Sequence, residues 1–201
     1  MELLQERVKS VSTTQNSNCL TELVLFGSRA TGDARAGSDW DLLAIMNEPP
    51  KQYTPRIECG PFELYSIERR DLQDRAWLTS EIAIHIASFG VWLLGERGKW
   101  CNKVSAVSDT LRRKAQVIQA RVAGVLGRWE GLHEIYRSKH LELVNRDAQR
   151  FDYLSRGLAI PSTPKLENEW EVMSEGERFS KVKKTLKEVG ANTDILDRWG
   201  M

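Results

Sequence analysis

Between Leu23 and Ile45 the chain passes from an apolar stretch into a Gly-Ser pair and then, eleven residues beyond Ser28, into Asp39 and Asp41 at the head of a second apolar stretch. This order constrains the fold more than any other feature. Leu23 to Phe26 reads as a buried strand, and Gly27 ends it where the backbone must turn tightly with its N–H groups exposed. N–H groups in such a turn attract a polyphosphate. Ser28 adds a hydroxyl that can donate to a phosphate oxygen, and Ser-Arg-Ala-Thr-Gly fits a short helix or turn whose positive end faces the same anion. Gly27, Ser28 and Arg29 are therefore the expected phosphate site, with Arg29 adding charge.

The second apolar stretch, SDWDLLAI, is expected to be a strand, and side chains at i and i+2 of a strand share a face. Asp39 and Asp41 can then reach one cluster of cations. Two carboxylates held this close repel unless something positive lies between them, and hard oxygen ligands suit magnesium. Trp40, on the opposite face, is expected in the core. The next strand-like run, Pro61 to Ile67, places Glu63 between Phe62 and Leu64, which makes Glu63 the expected third metal ligand. A Gly-Ser turn alone, or an Asp-Trp-Asp triplet alone, is a common surface feature. The information lies in their order between two strands, followed by an acidic third strand.

The segment GSRATGDARAGSDWDLL resembles the DNA polymerase β-like nucleotidyltransferase superfamily, and within it the minimal and antibiotic nucleotidyltransferases. The pattern there is Gly-Ser, often Arg-Ala-x-Gly-x-Ala-Arg, then Ser-Asp-x-Asp-Leu. Here Gly27, Ser28, Arg29, Ala30, Gly32, Ala34, Arg35, Ser38, Asp39, Asp41 and Leu42 take those places. The resemblance implies that Gly27 and Ser28 hold the β- and γ-phosphates of a nucleoside triphosphate, expected to be ATP, and that Asp39 and Asp41 bind two magnesium ions. It implies transfer of a nucleoside monophosphate to an acceptor hydroxyl with loss of pyrophosphate. Glu63 departs from the family, whose third acid is usually aspartate, and the extra methylene moves the carboxylate in a site sensitive to position.

Antibiotic-type members pair a catalytic sheet with a helical bundle that supplies the general base. Glu130, Glu134 and Asp147 are open candidates for that role. The expected acceptor is a small hydroxylated molecule such as an aminoglycoside or lincosamide. The alternative is a protein side chain or a tRNA end, as modified by the minimal nucleotidyltransferases of toxin–antitoxin pairs. A non-catalytic nucleotide-binding scaffold is the remaining reading, and two adjacent repelling carboxylates argue against it.

Beyond the third strand the apolar period becomes helical. Leu78, Ile82, Ile86, Phe89 and Leu93 predict a helix over 74–94 stopped by Gly95, with His85 beside the apolar stripe as a packing residue. Leu111, Ala115, Ile118, Val122, Leu126 and Trp129 form one later stripe. Leu141, Val144, Ala148, Phe151 and Leu154 form another, and the two are expected to pack together. Shorter helices are expected after Lys165, with Trp170, Val172 and Met173 closing over the bundle. Together with these stripes, the resemblance implies a fold class α/β of the α+β kind: a small mixed sheet forming a catalytic domain over 1–100, followed by a helical domain over 101–201.

The 201 residues are 41% hydrophobic, enough for one core or a core plus a smaller helical unit. A net charge of +1 gives no bulk attraction to nucleic acid or membrane. Three cysteines without metal-ligand spacing read as reduced thiols, and no leader or membrane-length apolar run is evident, so the expected location is the cytoplasm.

Overall fold

The computed structural model describes residues 19–47 and 56–198, and the polar segment 12–18 expected as a loop lies outside them. The chain divides into two compact units, Met1–Val104 and Ser105–Met201.

The first unit is built on a five-stranded mixed sheet. Its strands are β1 (Leu20–Phe26), β2 (Trp40–Met46), β3 (Arg56–Cys59), β4 (Phe62–Glu68) and β5 (Val91–Leu94) in the spatial order β3-β4-β2-β1-β5. β2 and β4 run parallel, while the β1·β2, β1·β5 and β3·β4 pairs are antiparallel. A one-turn helix, α1 (Gly27–Thr31), follows β1 directly. Period-two alternation divides the side chains between two apolar layers. Val24, Phe26, Leu43 and Ile45 enter one layer, together with Ala83 and Ile86. Leu23, Leu25, Leu42, Ala44 and Leu64 form the other. The mixed sheet expected from the sequence, with helices after it, is the architecture found.

The helix expected over 74–94 is instead two helices and a strand: α2 (Arg75–Leu78), α3 (Glu81–Phe89) and β5. Ser80 interrupts the helical run by capping α3, its hydroxyl accepting from the Ala83 N–H at 3.1 Å. Gly90, not Gly95, ends it. A Cβ at Gly90 would stand 2.6 Å from the Ile86 carbonyl oxygen and 2.9 Å from Val24 Cγ1, so only glycine lets the chain leave the helix this close to β1. Val-Trp-Leu-Leu then pairs with β1, placing Trp92 opposite Val24. The Leu93 spacing that imitated a helical period belongs to this edge strand.

Beneath β5, buried Glu22 accepts from the Trp92 indole N–H at 3.0 Å and pairs with Arg69 at 2.9 Å. Burial pushes the thiol of nearby Cys101 up to about 11, with Arg97 opposing and Glu22 adding, so this cysteine is protonated and inert at neutral pH.

The second unit is helical: α4 (Ser108–Leu126), α5 (Glu134–Ser155), α6 (Thr163–Glu171), α7 (Glu175–Glu188) and α8 (Asp194–Arg198). The two predicted stripes meet in one core. Ile118, Val122 and Val125 of α4 pack with Leu141, Val144 and Phe151 of α5 and with Val182 and Leu186 of α7. Ser174 and Glu177 close a capping box at the start of α7. Trp170 packs on this core as expected, but Val172 is 84% exposed and closes over nothing. Among the described residues no helix is long and apolar enough to cross a membrane.

One polar device crosses this core. Asp147 of α5 is buried and pairs with the equally buried Lys114 of α4 at 3.1 Å. Arg121, one face-repeat further along α4, lies 3.0 Å from the other carboxylate oxygen, close enough to attract without hydrogen-bond alignment. Removing one member of a buried pair strands the other charge. Asp147→Ala should therefore lower the stability of the helical unit by about 3–5 kcal/mol in urea unfolding, and Lys114→Met combined with Asp147→Leu should recover most of it. Equal losses in the single and double variants would contradict this account.

Candidate active site

The alternation of β2 decides which face carries chemistry. Leu43 and Ile45 point into the layer that contains α3, so Asp41, two residues earlier, points to that face as well. β4 runs parallel to β2 in a register that sets Asp41 beside Glu63 and Trp40 beside Phe62. Asp41 and Glu63 thus stand side by side on the α3 face. On the other face the Trp40 and Phe62 rings stack with centroids 6.2 Å apart. Trp40 is half-buried there, a shelf at the edge of its apolar layer and not a core residue. Asp39 lies one residue ahead of β2 and is exposed.

Gly27 closes β1 at the same end of the sheet, immediately after the last ladder pair, Phe26 with Asp41. Its φ of +70° is in the left-handed region that favours glycine. Space is the second constraint. A Cβ at Gly27 would fall 2.0 Å from Asp41 Oδ2, so the carboxylate occupies the volume in which any side chain would lie. The Gly27 N–H, expected from the sequence to face a phosphate, donates instead to His85 Nε2 of α3 at 3.1 Å. The Ser28 carbonyl accepts from the Asp33 N–H at 2.9 Å and from the Thr31 hydroxyl at 3.2 Å, which folds α1 and its exit into a compact turn.

Arg29 reaches across this turn to the loop before β2. Its Nη2 and Nε donate to the Ser38 carbonyl at 2.6 and 3.1 Å, and Nε also meets the Asp39 carbonyl at 3.2 Å. Its guanidinium lies 4.2 Å from the centroid of the Trp40 ring. The planar fork thus spans two consecutive carbonyls, a geometry that lysine cannot reproduce. The loop is closed from within as well, since the Ser38 hydroxyl accepts the Arg35 N–H at 2.9 Å and the Ser38 N–H donates to the Arg35 carbonyl at 3.0 Å. Arg29 is therefore a brace for the backbone that carries Asp39.

On β4, the Tyr65 hydroxyl donates to Glu63 Oε1 at 2.5 Å, and the Tyr65 ring packs on Phe26 at 5.6 Å. Glu63 is thereby oriented from its own strand. Backbone register brings Asp41 and Glu63 together, yet among the described residues no three His, Cys, Asp or Glu side chains are gathered as a cage for a metal ion. Carboxylate oxygens such as those of Asp41 and Glu63 are the donor type that hard divalent cations prefer.

Of the three acids considered for a base, Asp147 is committed to Lys114 and Arg121 inside the bundle. Glu130 is exposed and pairs with Arg198 at 3.2 Å. Glu134 opens α5. Tyr65 is absent from the sequence expectations, and His85 enters them only as a packing residue, not as the acceptor of the Gly27 N–H. Tyr65 was visible in principle, two residues from Glu63 on the same strand face. The accepting role of His85 was not, because its partner is a backbone N–H.

The family model described as "Nucleotidyltransferase domain" matches residues 5–115, just over half of the chain. A solved structure of a nucleotidyltransferase-like protein from Exiguobacterium sibiricum 255-15 is similar with a TM-score of 0.41 and 13% identity, over 87% of this chain and 69% of that one. No curated protein matches.

The contact between Gly27 and Asp41 is open to a direct check. Gly37 also has a positive φ, of +87°, but a Cβ there meets nothing within 4 Å. Gly37→Ala should cost only the left-handed backbone penalty of about 1–2 kcal/mol. Gly27→Ala should cost more in thermal unfolding and shift the Asp41 carboxyl carbon resonance. Equal losses and an unmoved Asp41 signal would show that the carboxylate does not press on the turn.

Proposed function

The chain belongs to the nucleotidyltransferase domain family, and from that premise we propose that it transfers AMP from ATP to a hydroxyl group of a small acceptor, releasing pyrophosphate. The general activity, transfer of a nucleoside monophosphate, comes with the family. The observation that supports its seat in this chain is the meeting of the Gly27–Ser28 turn with Asp41, and of Asp41 with Glu63 in register. We assign the catalytic work to the first unit, whose core extends past residue 100 to Cys101, with the helical unit from Ser105 as its accompaniment.

Asp39, Asp41 and Glu63 would hold magnesium, since their oxygens suit a hard cation, and the lack of a side chain at Gly27 is what lets the Asp41 carboxylate lie against the turn. Bound magnesium would lower the pKa of the acceptor hydroxyl and neutralise charge on the departing pyrophosphate. The reaction forms a bond from the acceptor oxygen to the α-phosphorus and breaks the bond from that phosphorus to the bridging oxygen, which leaves with the β- and γ-phosphates. The Ser28 hydroxyl would donate to those phosphates. The Gly27 N–H, held by His85, is a structural donor and not a phosphate ligand. Arg29 contributes by fixing the Ser38 and Asp39 carbonyls, which sets where Asp39 begins.

An aminoglycoside or lincosamide is the acceptor we favour, within the cytoplasm, on the likeness to antibiotic nucleotidyltransferases. Incubation with each of the four labelled nucleoside triphosphates and Mg²⁺, followed by an antibiotic panel, tRNA and cell lysate, should place the label on an antibiotic and come from ATP. Label on tRNA or protein would move the acceptor to the toxin–antitoxin class. Nucleotide bound without any transfer would leave a scaffold.

Asp39→Asn and Asp41→Asn should each lower the transfer rate by about 100-fold or more with unchanged circular dichroism. Glu63→Ala should behave in the same way, and Glu63→Asp should alter the rate without abolishing it. Wild-type rates in either asparagine variant would remove these carboxylates from the site.

A further inference from the structure

We propose that His85 is the positioning residue of the Gly27–Ser28 turn, holding through one backbone hydrogen bond the surface on which the Asp41 carboxylate rests. The inference builds on the nucleotidyl-transfer reading, because it assigns the turn and Asp41 to the same reaction.

At Gly27 the β1·β2 ladder has just ended, so the N–H of this residue has no strand partner and belongs to the donors that open a helix without an intrahelical acceptor. His85 supplies the acceptor from 58 residues away in sequence. Acceptance at Nε2 requires a lone pair there, which in the neutral ring places the proton on Nδ1. The ring is fixed from both sides, 6.5 Å from Phe26 and 5.2 Å from Phe89 between centroids. α3 itself is a firm support, with Ala83 and Ile86 fully buried and its first turn capped by Ser80.

Packing alone does not explain a histidine at this position. Phenylalanine fills the same gap between two aromatic rings but offers no acceptor, and it would leave the Gly27 N–H without a partner in a half-buried turn. The mechanical sequence is short: α3 holds His85, His85 holds the Gly27 N–H, and the surface of Gly27 abuts Asp41 Oδ2. His85 touches neither nucleotide nor acceptor in this scheme. It acts through Gly27.

The test uses the full chain with His85→Phe, which keeps the ring, and His85→Gln, whose amide oxygen can accept near the place of Nε2. In the wild type, a through-hydrogen-bond coupling between the Gly27 nitrogen and His85 Nε2 should be seen by NMR, and this measurement needs no variant. His85→Phe should speed exchange of the Gly27 amide proton and weaken binding of Mg²⁺ with a non-hydrolysable ATP analogue by about tenfold, as loss of a supporting group around a metal site does. His85→Gln should restore most of both. No coupling in the wild type, unchanged Gly27 exchange in His85→Phe, or identical behaviour of the two variants would overturn the proposal. If the wild type binds no nucleotide while the coupling and the exchange difference are present, the nucleotidyl-transfer reading fails and the positioning of the turn by His85 stands.

Discussion

The first unit is organised by a carboxylate lying against a residue that has no side chain. Asp41 can sit where it does only because position 27 is glycine, and Gly27 can adopt its left-handed backbone for the same reason. A single residue type thus meets two independent demands, one steric and one conformational. The surrounding structure holds both partners in place. Asp41 is pinned by its pairing with Phe26 on one side and Glu63 on the other, and Gly27 by His85. Asp41 and Glu63 are borne by neighbouring strands and a helix braces the turn beside Asp41, an arrangement that limits the motion of these groups.

The supports around this contact are mostly backbone groups, which explains what could be read from the chain and what could not. The strands bearing Asp41 and Glu63 announced themselves because a short apolar run is a local pattern, and the stripes of α4 and α5 did so because their helical period runs over five turns or more. Arg29 was legible as a cation but not as a brace, since the carbonyls of Ser38 and Asp39 that it grips leave no mark in a sequence. The accepting role of His85 was hidden for the same reason, compounded by distance along the chain. β5 was misread because Leu93 continues a spacing set by Ile82, Ile86 and Phe89. What separates the two elements is the tight approach of Gly90 to Val24, a tertiary fact.

The helical unit shows a different balance. Its apolar layers follow directly from the stripes, but Lys114, Asp147 and Arg121 place charge inside them. A pair so enclosed contributes little net stability over an apolar substitute. It does tie the two helices together, because Asp147 of α5 lies between Lys114 and Arg121 of α4. Asp147 illustrates how a candidate base in a sequence can turn out to be a structural counter-ion.

The parallel pairing of β2 and β4 also governs orientation. Because neighbouring residues on a strand face opposite ways, this pairing fixes the parity of Glu63 relative to Asp41. A slip of one position would carry that acid to the side of Trp40 and Phe62, whereas a slip of two would preserve its orientation while exchanging its neighbour. The heading of that one carboxylate is thus set by strand parity and not by distance along the chain.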